Sequence, residues 1–331
     1  MFIRVIGHRL AGTIAMLVII LTIATLLYVF SLPSYRYEKY KCQHDLIYNQ
    51  TGVVDVAIIG SSRTQLGVGP EHISKAFSNE FGKQAVVYDL SKGWRGQGIN
   101  YTIIRDLVEN RKVKHLLIEA NLAESGKYHA HWYLVGRYND FLKSIWYQQE
   151  EGINIPAIFE VIKMPIDRIV DRITSIILDE LSLPTVIDDK RSAITSGCYA
   201  HEEPIDVKRL EERYASYKKY YEGKTWSWNM NASHQLHDTG FFRELVKLAN
   251  DNGATIHFYY VHERHYSRLE PKFTAVFEKN TGAKLFIPPE SLVDSLEVDG
   301  YADPTHMRPR GRKLYSEWLA SVLISSLSAK D

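Results

Sequence analysis

From Val53 to Thr64 the chain reads VVDVAIIGSSRT, an apolar and largely β-branched run that ends in a glycine and two serines. Such a run, bounded by glycine, is typical of a strand that is buried on both faces of a parallel sheet. A glycine followed by small hydroxyl residues can hold a serine hydroxyl exposed at the edge of the sheet where the strand ends. The stretch therefore predicts a parallel sheet with a serine hydroxyl, that of Ser61 or Ser62, exposed at its edge.

Short apolar strands alternate with helical patterns along the rest of the chain. Further strands are predicted at 85–90, 115–120, 254–261 and 283–287, and helices at 70–77, 99–110, 241–250 and 310–328. This alternation predicts an α/β domain with a parallel sheet over residues 53–331. Ligands of such sheets bind outside the carboxyl ends of the strands, so the residues that follow each strand are the candidates for a site.

The third and fourth predicted strands are separated by a segment far longer than a usual crossover connection. It contains helical patterns at 158–181 and 207–221, and we interpret residues from about 122 to 235 as a helical insertion. Two roles are open for it. It either covers the edge of the sheet where the site is expected, or it is additional scaffold without a part in the site.

An uncharged apolar run without amide side chains or proline occupies residues 10–30. A helix of about 20 apolar residues crosses a hydrocarbon core of about 30 Å. We predict a transmembrane helix at 10–32, preceded by an N-terminal tail at 1–9 and followed by a polar connector at 33–52. A cleaved signal peptide is the alternative, although it favours a shorter apolar core and a small-x-small exit. The basic residues on both sides of the run leave its orientation open.

The overall composition excludes several classes of protein. Lys and Arg number 40 against 39 Asp and Glu, a formal net charge of +1, so nucleic acid is not an expected partner. Hydrophobic residues make up 45% of the chain and charged residues 24%, which is typical of a globular protein. The two cysteines, Cys42 and Cys198, either pair in an oxidising compartment or remain free thiols.

Near the C terminus, Asp303-Pro304-Thr305-His306 precedes the last predicted helix. This spacing lets the carboxylate contact one imidazole nitrogen while the other nitrogen faces a nucleophile. Asp303 and His306 are therefore candidates for the orienting acid and the general base of a catalytic triad.

After the fourth predicted strand the chain reads His262-Glu263-Arg264-His265. This is not the His-Glu-x-x-His pattern of a helical zinc site, so no metal is predicted. We expect His262, Arg264 and His265 to line the substrate pocket, with a solvated polar loop as the alternative. The glycines at 93, 96 and 98 do not follow the Gly-x-Gly-x-x-Gly order of a dinucleotide site, and no cofactor is predicted.

Taken together, the Gly60-Ser61-Ser62 turn after the first strand and Asp303-x-x-His306 before the last helix resemble the SGNH (GDSL-like) hydrolase superfamily. That family has Gly-Asp-Ser in the first block, where this chain has Ser61 in place of the aspartate. The resemblance implies a flavodoxin-like three-layer sandwich with Ser62 as nucleophile, His306 as general base and Asp303 as its partner. The Gly-Ser-Ser-Arg opening is similar to the membrane-anchored bacterial branch linked to acyl-group modification of envelope polysaccharides.

The resemblance also implies an oxyanion hole made of the Ser62 backbone N–H, a glycine N–H after the second strand and an asparagine after the third. Gly93, with Gly96 as the second choice, and Asn121 occupy those places. The third block of the family is Gly-x-Asn-Asp, and this chain keeps the asparagine but lacks the glycine and the aspartate. Arg63, next to the nucleophile, is predicted to contact substrate.

The expected function is therefore a membrane-anchored serine esterase or O-acyltransferase. Its substrate would be an acylated glycan of the cell envelope or a small acyl ester, and its domain would lie outside the cytoplasm, with envelope proteins as further partners. The alternative is a catalytically weak or inactive SGNH-like module that binds partners in an envelope polysaccharide assembly, because a fold does not guarantee its chemistry. The incomplete third block favours that alternative.

Overall fold

A computed structural model of the chain describes residues 13–23, 41–91, 97–120, 212, 215, 232–264, 271–303 and 305–328. At its centre lies a sheet of five parallel strands in the order β2-β1-β3-β4-β5. The strands are β1 (Val53–Ile59), β2 (Val87–Asp89), β3 (Lys112–Glu119), β4 (Thr255–Tyr259) and β5 (Lys284–Phe286). The predicted α/β fold with a parallel sheet is confirmed.

Helices pack on both faces of this sheet. They are α1 (Ser62–Gly67), α2 (Pro70–Phe81), α3 (Gln97–Asn110), α4 (Ala232–Asp251), α5 (Pro271–Thr281), α6 (Glu290–Asp299) and α7 (Pro309–Ser328). Helices α3 and α4 contact the strands on one face, and α2 packs against α7 on the other. The sequence pattern did not predict α1, α5 or α6. Helix α1 has six residues and is too short to show a helical period.

The inner strand β1 is buried on both faces, as its apolar run predicts. Ala57 and Ile59 lie in the core formed with α3 and α4. Val56 and Ile58 lie in the second core, formed with α2 and α7. All four side chains are fully buried. Because successive strand residues point to opposite faces, a continuous apolar run fills two cores at once.

The order of the strands places a switch point beside β1. The chain passes from β1 to β2 on one side and then returns to β3 on the other, so the direction of strand progression reverses between β1 and β3. At the carboxyl end of this pair, Ile59 lies opposite Ile118. Open α/β sheets bind ligands at such a switch point. The residues that follow β1 and β3 therefore meet at the expected place for a site.

The C-terminal segment brings a second loop to the same edge of the sheet. After α6 the chain pairs Tyr301 with Met307 in an antiparallel bridge, and the Arg308 N–H donates to the Gly300 carbonyl oxygen over 2.8 Å. Helix α7 then begins against this turn. A Cβ at Gly311 would collide with that same carbonyl oxygen, so only glycine permits the close approach. The loop between the two bridged residues is thereby held beside α1.

The structure also bears on the N-terminal segments. Residues 13–23 are helical, but no helix within the described ranges is long and apolar enough to span a membrane. The other residues of the predicted span at 10–32, and nearly all of the predicted insertion at 122–235, lie outside the described residues. Part of the predicted connector at 33–52 belongs to the domain, because Leu46 and Ile47 are buried in the core against α3.

One cysteine of the chain lies in that same N-terminal part of the domain. Cys42 is disulfide-bonded, and Cys198, the second cysteine of the chain, lies outside the described residues.

Candidate active site

The turn that carries Ser62 is shaped by the residues on either side of it. Ser61 caps helix α1, and its Oγ accepts the Arg63 N–H over 3.2 Å. Ser62 is the first residue of the helix and is half-buried. A Cβ at Gly60 would collide with Thr64 Oγ1, so a glycine is needed where the strand turns into the helix. As the first helical residue, Ser62 has no intrahelical acceptor for its backbone N–H.

The structure brings the three predicted triad residues together. His306 Nε2 lies 3.0 Å from Ser62 Oγ, although the two residues are 244 positions apart in the chain. His306 Nδ1 lies 2.8 Å from Asp303 Oδ2. A carboxylate can only accept hydrogen bonds, so Nδ1 carries the proton of the neutral imidazole, and Nε2 is left to accept the Ser62 hydroxyl proton.

Asp303 is held by its own loop. Its Oδ1 accepts the N–H groups of Thr305 and His306, each over 2.8 Å, and its side chain is nearly buried. Burial by itself would raise the pKa of Asp303. The hydrogen bond and positive charge of His306 and the two backbone donors outweigh burial, so the pKa lies below its ordinary value. The carboxylate therefore stays ionised and keeps the imidazole oriented.

A second carboxylate lies beneath the turn that carries Ser62. Glu119, the last residue of β3, is 2% exposed, and its Oε2 accepts the N–H and the hydroxyl of Ser61 over 2.7 and 2.8 Å. The same oxygen accepts the Thr64 hydroxyl over 2.7 Å. Its Oε1 lies 2.8 Å from Arg63 Nη2, and Arg63 also pairs with Glu263. This set, Ser61, Arg63, Thr64, Glu119 and Glu263, is called the buried ion network below.

Arg63 and His262, which were predicted to contact substrate, are both buried beside carboxylates of the protein. Arg63 is only 3% exposed, and its guanidinium points inward to the two carboxylates instead of outward to a substrate. His262 is 2% exposed, with its Nε2 3.5 Å from Glu297. Both side chains pair with carboxylates of the protein, and that they contact substrate stays a prediction.

The remaining predicted site residues are only partly placed. Arg264 lies in the turn after β4 and is half-buried. His265, Gly93 and Asn121 lie outside the described residues, so two of the three predicted oxyanion donors stay predictions. In the part of the chain that the structure describes, no three His, Cys, Asp or Glu side chains are arranged to hold a metal ion.

Sequence reasoning missed Glu119 and Glu263 as residues of the site. A signal for Glu119 was present, because a carboxylate that directly ends an apolar buried strand must find a partner at the edge of the sheet. In residues 262–265 the two histidines and Arg264 were predicted to line the pocket, and Glu263 was not considered. Arg63 was recognised as a candidate site residue, but the inward direction of its guanidinium was not predicted.

Comparison with protein-family models, curated proteins and solved structures gave no match to this chain. The chemistry of the site is accordingly argued from its own geometry.

Proposed function

We propose that the domain is an SGNH-type serine esterase or acyltransferase in which Ser62 is the nucleophile, His306 the general base and Asp303 its orienting partner. The observation that carries the proposal is the continuous hydrogen-bonded chain from Ser62 Oγ through the imidazole to the Asp303 carboxylate, with links of 3.0 and 2.8 Å. These distances lie within the reach that proton transfer between a nucleophile and its base requires.

The reaction would proceed in two halves. In the first, Ser62 Oγ attacks the carbonyl carbon of an acyl ester while His306 Nε2 takes the hydroxyl proton and Asp303 stabilises the imidazolium. The proton then passes from His306 to the departing alkoxide oxygen as the ester C–O bond breaks, which leaves an acyl-enzyme. In the second half, His306 Nε2 takes a proton from water, or from an acceptor hydroxyl group, as that oxygen attacks the acyl-enzyme carbonyl carbon. The proton then passes from His306 to Ser62 Oγ as the bond between Oγ and the acyl group breaks.

The developing oxyanion would be met by the Ser62 N–H, which has no acceptor within its helix, together with Gly93 and Asn121. Each aimed donor of this kind contributes about 10²–10³-fold in rate. A missing donor would slow the reaction without abolishing it.

The architecture also supports the proposal. The strand order 2-1-3-4-5 is that of flavodoxin-like sheets, and Ser62 stands beside their switch point between β1 and β3. The two sequence blocks that resemble the SGNH family lie at opposite ends of the domain, and the fold places their side chains in contact. An SGNH-like domain would account for this convergence.

The location and the substrate class follow as further parts of the proposal. The apolar run at 10–32 would anchor the chain in a membrane, and a disulfide at Cys42 is typical of an oxidising compartment outside the cytoplasm. An ester-linked acyl group on an envelope polysaccharide, or a small acyl ester, is the substrate class that fits this location and a triad.

A serine-directed fluorophosphonate probe tests the proposal on the full-length chain purified in detergent. We expect the probe to label the folded protein at Ser62, p-nitrophenyl acetate to be hydrolysed, and Ser62→Ala to abolish both. Ser295→Ala, which removes an exposed hydroxyl on α6, is the matched control and should change neither. Folded wild-type protein that is neither labelled nor active would favour the alternative, an inactive partner-binding module.

A further inference from the structure

The residues around Ser62 in the chain share one partner. Ser61 and Thr64 donate hydrogen bonds to Glu119, and Arg63 forms an ion pair with it, through contacts of 2.7 to 2.8 Å that reach it from both sides of Ser62. Ser62 alone points away from Glu119, toward His306. A single carboxylate therefore contacts three of the four residues from Ser61 to Thr64.

The buried ion network also ties three strand ends to one another. Glu119 ends β3, Glu263 follows β4, and both pair with Arg63, which follows β1. The Tyr259 hydroxyl at the end of β4 lies 2.7 Å from Thr64 Oγ1. Glu119 and Tyr259 stand on packed strands, so their contacts hold the turn rigidly. Sites built on such elements are held more accurately than sites on loops.

The charge state of Glu119 suits this role. Full burial would raise its pKa, but the Arg63 charge and the donors from Ser61 and Thr64 outweigh burial and lower the pKa below its ordinary value. An ionised carboxylate accepts hydrogen bonds with both oxygens and donates none. Protonation or replacement by an amide would turn one of these acceptors into a donor that faces another donor.

We propose that Glu119 is a positioning residue for the Ser62 nucleophile, acting through Ser61, Arg63 and Thr64 without touching the substrate. The proposal rests on the proposed esterase or acyltransferase function. It goes beyond that function because it assigns control of nucleophile geometry to a residue outside the triad.

Two variants of the network test this. Glu119→Gln keeps the size of the side chain but has one acceptor and one donor group, so either Arg63 or the Ser61 and Thr64 donors lose their acceptor. Thr64→Val removes one hydroxyl at constant shape, whereas Thr64→Ser keeps it. Glu317→Gln, at a half-exposed position on α7, is the control for the loss of a carboxylate.

We expect Glu119→Gln to lower kcat and the fluorophosphonate labelling rate of Ser62 by about 10- to 100-fold, since a displacement of about 1 Å costs about 10²-fold. KM for p-nitrophenyl acetate should stay within about two-fold, because the substrate does not contact Glu119. Thr64→Val should lower kcat about ten-fold, and Thr64→Ser should restore it to within about two-fold. A role in stability alone would lower the labelled fraction of the protein but leave the rate per labelled site unchanged.

Crystal structures of the wild type and Glu119→Gln separate the two proposals. A Ser62 Oγ displaced from His306 in the variant, together with slower labelling, would support the inference. An unmoved turn with an unchanged labelling rate would overturn it while leaving the proposed function intact. Wild-type protein that is not labelled, combined with a turn that still shifts in the variant, would overturn the function and support the positional role of Glu119.

Discussion

Asp303 and Glu119 are two buried carboxylates at the same edge of the sheet, and they are held in opposite ways. The partners of Asp303 lie within three residues of it, in its own loop. The hydrogen-bond partners of Glu119 are 55 to 58 positions away, across the switch point between β1 and β3. Both have a lowered pKa although each is buried. A local loop therefore orients His306, whereas contacts between strands hold the turn that carries Ser62.

Of the substitutions that distinguish the two carboxylates, Asp303→Asn is expected to have the largest effect, which is a loss of activity. The amide would donate to His306 Nδ1 and force the proton onto Nε2, which then cannot accept from Ser62. Loss of the correct tautomer costs about 10⁴-fold in kcat in a Ser-His-Asp triad. We expect a fall of that order in p-nitrophenyl acetate hydrolysis, with a melting temperature close to that of the wild type.

Asp299→Asn, at a partly exposed carboxylate paired with Arg310, is the control and should keep full activity. An Asp303→Asn protein within ten-fold of wild-type kcat would contradict the assigned role of the loop.

Gly60→Ala should disturb the contacts of Glu119 and leave the Asp303 loop unchanged. The new Cβ would collide with Thr64 Oγ1 and would lie 2.7 Å from Glu119 Oε2, so the network must shift. Overpacking of this kind costs about 1–3 kcal/mol. We expect the free energy of unfolding in urea to fall by about 3 kcal/mol.

Gly67→Ala is the matched control for this substitution. It lies in the same helix, and its nearest neighbour would be 3.4 Å from the added Cβ. It should therefore lower the free energy of unfolding much less. If both substitutions lowered the free energy of unfolding equally, the turn at Gly60 would accommodate a Cβ, and the predicted collision with Thr64 would be wrong.

The smallest expected effect is on acid stability. Because both pKa values are lower in the folded protein, the unfolded chain takes up protons first as the pH falls. The stabilisation is therefore complete above the ordinary carboxyl range near pH 4 and is lost as the pH falls through the folded pKa values. Urea titrations from pH 7 to pH 3 should show stability declining below about pH 4.

Asp303→Asn and Glu119→Gln should each flatten this acid decline, because each removes one titrating group. An acid branch that stays as steep in both variants as in the wild type would assign the decline to other carboxylates.

The sequence predicts the local contacts of this site better than the contacts between distant strand ends. The strands were recognised because apolar runs such as Val53–Ile59 are local patterns, and their ends were misplaced by only a few residues. The spacing of Asp303 and His306 is likewise local, and it predicted a contact that forms within the loop. Arg63 was predicted to contact substrate, whereas its guanidinium pairs with Glu119 and Glu263, and nothing in the local pattern indicates that inward direction.

The sequence by itself thus determined a parallel α/β sheet, a serine at the end of its first strand and an acid–imidazole pair near its C terminus. Only the tertiary structure decided that Ser62 faces His306 and that Arg63 turns inward to Glu119 and Glu263. The physical reason is the range of the interactions. Side-chain period and loop spacing act over a few residues, whereas burial and charge pairing depend on which distant strand ends the sheet order places side by side.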